Sequence, residues 1–178
     1  MPRFGAGEYL TARCHHVSLL SSRGGRVQHS DTGVAFTGLT LAIFRANGAL
    51  IAAGDKLVKD LGLNSARWQV LGMIVENPLT VSAIARRVGL ARQSVQRTAD
   101  RLVETGFAQF IPNPDHATAN LLDLTSHGRQ VMDEVECRQV EWANRVSQGY
   151  EADRIDQVVQ SIQSLCDRLA TDGKGGDL

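Results

Sequence analysis

A chain of 178 residues, 43% hydrophobic and 21% charged, has enough apolar content to bury a core, which argues against disorder. Nineteen Lys and Arg balance nineteen Asp and Glu, so bulk charge draws the chain to neither nucleic acid nor an anionic membrane. The balance is uneven. Residues 1–60 carry seven basic against four acidic side chains, residues 61–126 six against five, and residues 127–178 six against ten. Any nucleic-acid function must come from local placement of arginines. Cys14, Cys137 and Cys166 are odd in number and widely spaced, which argues against a disulfide framework and for a reducing cytoplasm. No run of 18 apolar residues is present, so no transmembrane helix is expected, and the N-terminus lacks a secretory apolar stretch.

Residues 1–33 show no sustained period and read as a mobile tail, consistent with an upstream extension of the reading frame. Ser21, Ser22, Gly24, Gly25, Ser30, Asp31 and Gly33 mark loop. Cys14, His15 and His16 sit in this tail without the further ligands a tetrahedral metal site needs, so no metal is expected. From Val34, apolar residues recur at helical spacing (Phe36, Leu39, Ile43, Phe44, Leu50, Ile51, Leu57, Val58, Leu61), predicting a helix over 34–62 with a bend near Gly48 or Gly54. Ser65 is the expected cap of a second helix, Ala66 to Glu76, ended by Asn77-Pro78. Thr80 opens a third, Val81 to Val88. After Gly89 a fourth runs from Ala91 to Thr105. The period then changes. FAQFI and NLLDLT flank the turn residues Pro112, Asn113, Pro114 and Asp115, predicting a β-hairpin over 107–125. Thr125-Ser126 begins a helix to about Tyr150, a last helix runs from about Ala152 to Leu169, and 173–178 read as a frayed end. The expected fold is therefore mainly α. A three-helix lobe with a hairpin wing (63–125) is flanked by outer helices at 34–62 and 126–172.

The third and fourth helices hold the informative spacing. Ala85, Gly89 and Val95 stand where a helix-turn-helix needs a small residue under the crossing helix, a left-handed turn, and a branched plug. A hairpin after such a pair makes a winged helix, whose second helix enters the major groove N-terminus first. Its wet face carries Arg92, Gln93, Ser94, Gln96 and Arg97. Arginine pairs with guanine or phosphate, glutamine pairs bidentately with adenine, and serine reaches either base or phosphate. Thr80 and Ser82, at the preceding helix N-terminus, are candidate phosphate contacts.

Three stretches, RWQVLGMI (67–74), LTVSAIARRVGLARQSVQRTADRLVETGF (79–107) and LDLTSHGRQVM (122–132), occur in an order that resembles the MarR family of winged-helix transcriptional regulators across residues 34–169. The last resembles the family's LT-x-x-G junction from wing to dimerisation helix. The resemblance implies a homodimer whose first and last two helices interlock. It would bind a pseudo-palindromic operator in double-stranded DNA, with half-sites about 34–36 Å apart. It also implies a repressor released by a small phenolic or lipophilic effector. Phe44 and Trp68 are candidates to line such a pocket, although Trp68 also reads as core. The wing departs from the family: Asp115 matches its Asp-x-Arg tip, but Ala117 replaces the arginine, and His116 is the sole candidate cation from 107 to 124.

Three other readings compete. A cysteine redox sensor is poorly supported, because Cys14 precedes the first helix by some twenty residues and Cys137 and Cys166 are expected to pack as inert thiols. A winged helix used only for protein contact gains support from the bare wing. An enzyme is not expected, and no cofactor is implied, since no dinucleotide fingerprint, phosphate loop, nucleophile elbow or helical His-x-x-x-His is present. The bare wing yields a direct test. Ala117→Arg should tighten DNA binding and steepen its salt dependence by about one counterion; equal affinity and slope for both proteins would rule out a wing starved of charge.

Overall fold

The computed structural model describes residues 28–116 and 119–172. Its helices are α1 (Asp31–Val58), α2 (Ser65–Gly72), α3 (Val81–Val88), α4 (Arg92–Glu104), α5 (Ser126–Val146) and α6 (Ala152–Asp172). The strands are β1 (Leu79–Thr80), β2 (Ala108–Ile111) and β3 (Leu121–Leu124). A 3-10 turn over Lys59–Leu61 follows α1. Cys14, His15, His16 and the end from 173 lie outside the described residues. The chain divides into two compact units at Lys56/Leu57.

In the first unit, α1 starts at Asp31, three residues before the expected start. Ser30 caps it: its hydroxyl accepts the Gly33 N–H at 3.1 Å and its carbonyl the Val34 N–H at 2.9 Å. Residues taken as loop markers are thus the helix's first turn, because serine and aspartate serve both roles. The helix passes unbroken through Gly48 and Gly54. Its apolar side chains are largely uncovered within the chain; Phe44 is 68% and Leu50 57% exposed. By length and composition Asp31–Leu61 also suffices to cross a membrane, with mean hydropathy 1.5. A search for uninterrupted apolar runs overlooks it because alanine, glycine and threonine punctuate the stretch.

The second unit is the winged-helix lobe with α5 and α6. One core gathers Val58, Leu63, Val70, Leu71, Ile74, Ile84, Val95, Leu102, Leu122 and Val135, all at most 5% exposed. It spans every element from the end of α1 to α5, which is why the lobe behaves as one packing unit. The cap of α2 is Asn64, whose Oδ1 accepts the Arg67 N–H at 2.9 Å; Ser65 is instead a buried first helical residue. The helix stops at Gly72, short of the expected Glu76, as Met73 and Ile74 turn back on Val70 and Leu71 through tightened i to i−3 bonds. Thr80 caps α3 as expected, accepting the Ala83 N–H at 3.2 Å.

The sheet has the order β1-β3-β2, antiparallel throughout, with Ala108 opposite Leu124 and Ile111 opposite Leu121. Two-residue β1 pairs Leu79 with Leu122, a strand too short for any period to reveal. Gly149, at φ 84°, ends the turn after α5, four residues before the limit expected at Tyr150. On α5, Arg138 donates to Asp60 at 2.7 Å, to Glu134 at 2.8 Å and to the Leu57 carbonyl at 3.1 Å, satisfying the end of α1. The Arg138 hydrogen bond holds the Asp60 carboxyl below its ordinary value, so the pair contributes at neutral pH and fades as pH falls through that lowered range.

The junction from wing to α5 is built on Thr125 and Gly128. The Thr125 hydroxyl donates to the Gly106 carbonyl at 2.7 Å and accepts the Gly128 N–H at 3.0 Å, while its N–H donates to Phe107 at 3.2 Å. A Cβ on Gly128 would collide with the Phe107 carbonyl oxygen and stand 3.2 Å from Leu124. Alanine elsewhere in a helix stabilises by about 1 kcal/mol over glycine. Here Gly128→Ala should instead lower stability by about 1–3 kcal/mol or more, read as an earlier denaturant midpoint; an unchanged or later midpoint would contradict this packing.

Candidate nucleic-acid interface

The wet face of α4 exists because α3 docks its other face. Ala85 and Val95, 5% and 1% exposed, meet in the core with Ile84, Ala99 and Leu102. Between the helices Gly89 adopts φ 69°, and its N–H and that of Leu90 both return to the Ala85 carbonyl. This left-handed cap turns the chain sharply enough to start α4 three residues later. With Val95, Ala99 and Leu102 inward, Arg92, Gln93 and Arg97 stand exposed, and Ser94 and Gln96 are half-buried at the flanks.

Two grooves border this face. On the wing side, Thr80, Ser82, Arg92, Gln96, Phe110 and Asn120 line about 230 Å³. On the α2 side, Asn64, Arg67, Ser94, Arg97, Thr98 and Arg101 line about 370 Å³. The structure therefore gathers Thr80, Ser82, Arg92 and Gln96 on one shoulder, and Ser94 and Arg97 on the other. Gln93 is exposed on the first turn of the same helix. Asn64, Arg67, Arg101 and Asn120 were missed by sequence reasoning. Arg101 follows Arg97 by one turn and was detectable; Arg67 arrives from a different helix and was not.

Several of these groups are already engaged. Gln96 Nε2 donates to Asp100 at 2.8 Å, which orients the amide and sets a carboxylate beside the groove. Arg101 pairs with Glu104 at 2.9 Å, and Arg67 donates to the Gly62 carbonyl at 2.9 Å. The Thr80 oxygen is spent on the Ala83 N–H, leaving its hydroxyl proton free to donate.

The wing tip offers little charge. The Asn113 side chain accepts the Asp115 N–H at 3.0 Å and its carbonyl the His116 N–H at 3.3 Å, so the tip folds on itself. His116 is exposed; Ala117 lies outside the described residues. Asp115 forms no ion pair among the described residues, so the tie to a recognition-helix arginine that the resemblance implied is not made.

Elsewhere, Phe44 is exposed on α1, whereas Trp68 is half-buried against the core and also lines a cavity. Cys137 and Cys166 are exposed within the chain, correcting the expectation of packed thiols: the faces of α5 and α6 that carry them meet no other element of this chain. His127 rests on Phe107 with ring centroids 5.0 Å apart. Among the described residues no group of three His, Cys, Asp or Glu is placed to hold a metal ion.

Thr80 and Ser82 can be separated experimentally. Thr80→Ala should cost about 1 kcal/mol of stability through its lost cap, and Ser82→Ala should stay within about 0.5 kcal/mol, both by chemical unfolding. Equal losses would place Ser82 in the fold rather than on the interface.

Residues 61–117 match the model of the MarR family. The chain is 35% identical over 127 residues to the uncharacterized protein Rv2011c of Mycobacterium tuberculosis, covering 71% of this chain and 89% of that protein. It is 25% identical over 122 residues to the HTH-type transcriptional regulator TcaR of Staphylococcus aureus, covering 65% and 81%. Among solved structures, CouR of Rhodococcus jostii bound to p-coumaroyl-CoA shares the fold with a TM-score of 0.63 at 21% identity, covering 71% of this chain and 90% of CouR. The matched segment holds the whole helix-turn-helix, and the likeness extends beyond it on both sides. The chain belongs to the MarR family of winged-helix transcriptional regulators, which are not enzymes.

Proposed function

We propose that the protein is a cytoplasmic, homodimeric repressor that binds a pseudo-palindromic operator and releases it when a small lipophilic molecule binds. The observation that carries this is the division of α4. Val95, Ala99 and Leu102 are sealed in the core, and Arg92, Gln93 and Arg97 are free for a duplex on the opposite face. Flanking hydroxyls and the Arg67, Arg97 and Arg101 shoulder supply sequence-independent phosphate contacts around that reading face.

Dimerisation is supported by uncovered apolar side chains. Phe36, Leu39, Phe44 and Leu50 stand exposed on α1, and Val158, Val159, Ile162 and Leu169 on α6, more than a monomer ordinarily leaves to water. The acidic excess after residue 126 suits helices held away from phosphate. Effector control is supported by the cavity beside Trp68 and by the bound thioester in CouR.

The test is a mobility shift with the promoter next to the protein's own gene at two salt concentrations. Binding should weaken as salt rises. Arg92→Ala and Arg97→Ala should each weaken it by about 1–3 kcal/mol, and Gln93→Ala should relax base preference at one operator position. Absence of any shift, with a protein partner retained on the same face, would turn the reading towards a protein-interaction module. Thiol alkylation should leave DNA affinity unchanged; a large loss would favour cysteine-based control.

A further inference from the structure

Away from the DNA-facing surface, one cavity is set apart by its chemistry. It occupies about 650 Å³ between α2, the turn over 72–77, the end of α3 and α5. That volume suits a small organic molecule. Trp68 and Trp142, both half-buried, form aromatic walls, and Met73 and Met132 add soft apolar surface.

The rim carries the sign. Glu76, Asp133 and Glu136 line it as carboxylates, with Arg87 as the single opposing cation. Asp133 and Glu136 stand one turn apart on the same face of α5. None of the three carboxylates joins an ion pair among the described residues, while Asp60, Glu104, Asp123 and Glu134 all do. The excess is thus uncompensated negative charge around two indole faces. Indole is the strongest aromatic partner for a cation, and a nearby carboxylate reinforces the attraction. The same field opposes a phenolate or carboxylate. Since no His, Cys, Asp and Glu group among the described residues is placed for a metal, the fitting cation is an organic one.

We propose that this cavity binds a lipophilic organic cation, an aryl-substituted ammonium or phosphonium, between Trp68 and Trp142 with Glu76, Asp133 and Glu136 balancing its charge. The proposal deepens the effector reading and rests on it for the consequence of binding; occupancy itself is measured without DNA.

Trp68 and Trp142 are the chain's two tryptophans, so intrinsic fluorescence reports the site directly. The probes are tetraphenylphosphonium and tetraphenylborate, near-identical in shape and opposite in charge. Tetraphenylphosphonium should quench saturably, and tetraphenylborate at least about tenfold more weakly. Asp133→Asn and Glu136→Gln should each weaken the cation up to about fivefold. Asp153→Asn on α6 should leave it unchanged. All three positions are exposed, and unfolding midpoints check that the variants fold. Equal quenching by both ions, no saturable quenching, or wild-type affinity in both carboxamide variants would overturn the proposal. Release of operator DNA by the cation supports its use in regulation. Saturable quenching with an undisturbed DNA complex overturns that use and leaves the cation site standing. Quenching without any DNA complex overturns the regulator reading instead.

Discussion

The contact between Ala85 on α3 and Val95 on α4 orients everything that faces DNA. It works because a methyl group is the largest side chain the crossing tolerates and because Gly89 lets the chain reverse on a left-handed residue. Once those two helices are locked, the 3.6-residue period of α4 decides the rest. Positions 95, 99 and 102 face in, so 92, 93 and 97 must face out. The DNA-facing surface therefore has no fold of its own to stabilise; it is the unburied remainder of a packing solution.

Two features temper that surface. The Asp100 carboxylate that holds the Gln96 amide also lowers the positive potential along the groove. The wing adds no guanidinium, and its tip is closed by Asn113 rather than tied to α4. Charge is concentrated instead on the α2 shoulder, where Arg67, Arg97 and Arg101 converge from two helices. A protein with zero formal net charge thereby presents a local basic ridge, while its acidic residues collect around α5 and α6.

Much of this was legible in the sequence, and the failures have physical causes. The order of helices and strands, the Thr80 cap and the Ala85-Gly89-Val95 spacing were readable because each depends on neighbours within a dozen residues. The start of α1 was misplaced because Ser30 and Asp31 suit a loop and a cap equally well. Strand β1 escaped because its two residues owe their extended pairing to Leu121 and Leu122, forty residues away. The same distance hid the Arg67 shoulder. The exposure of Cys137 and Cys166 eluded sequence reasoning because helical periodicity shows that a face is shared, not which chain covers it. The cavity beside Trp142 was likewise invisible, being assembled from α2, α3 and α5.

Gly128 sits with its Cα directly against the Phe107 carbonyl, and Thr125 clamps the same peptide from the other side. No slack separates the root of the wing from the first turn of α5. A tilt of that long helix must drag the hairpin's base along, as a crank turns its shaft. Motion at the cavity, whose wall includes Met132 and Glu136 on the same helix, has a stiff mechanical route to the hairpin that flanks the duplex.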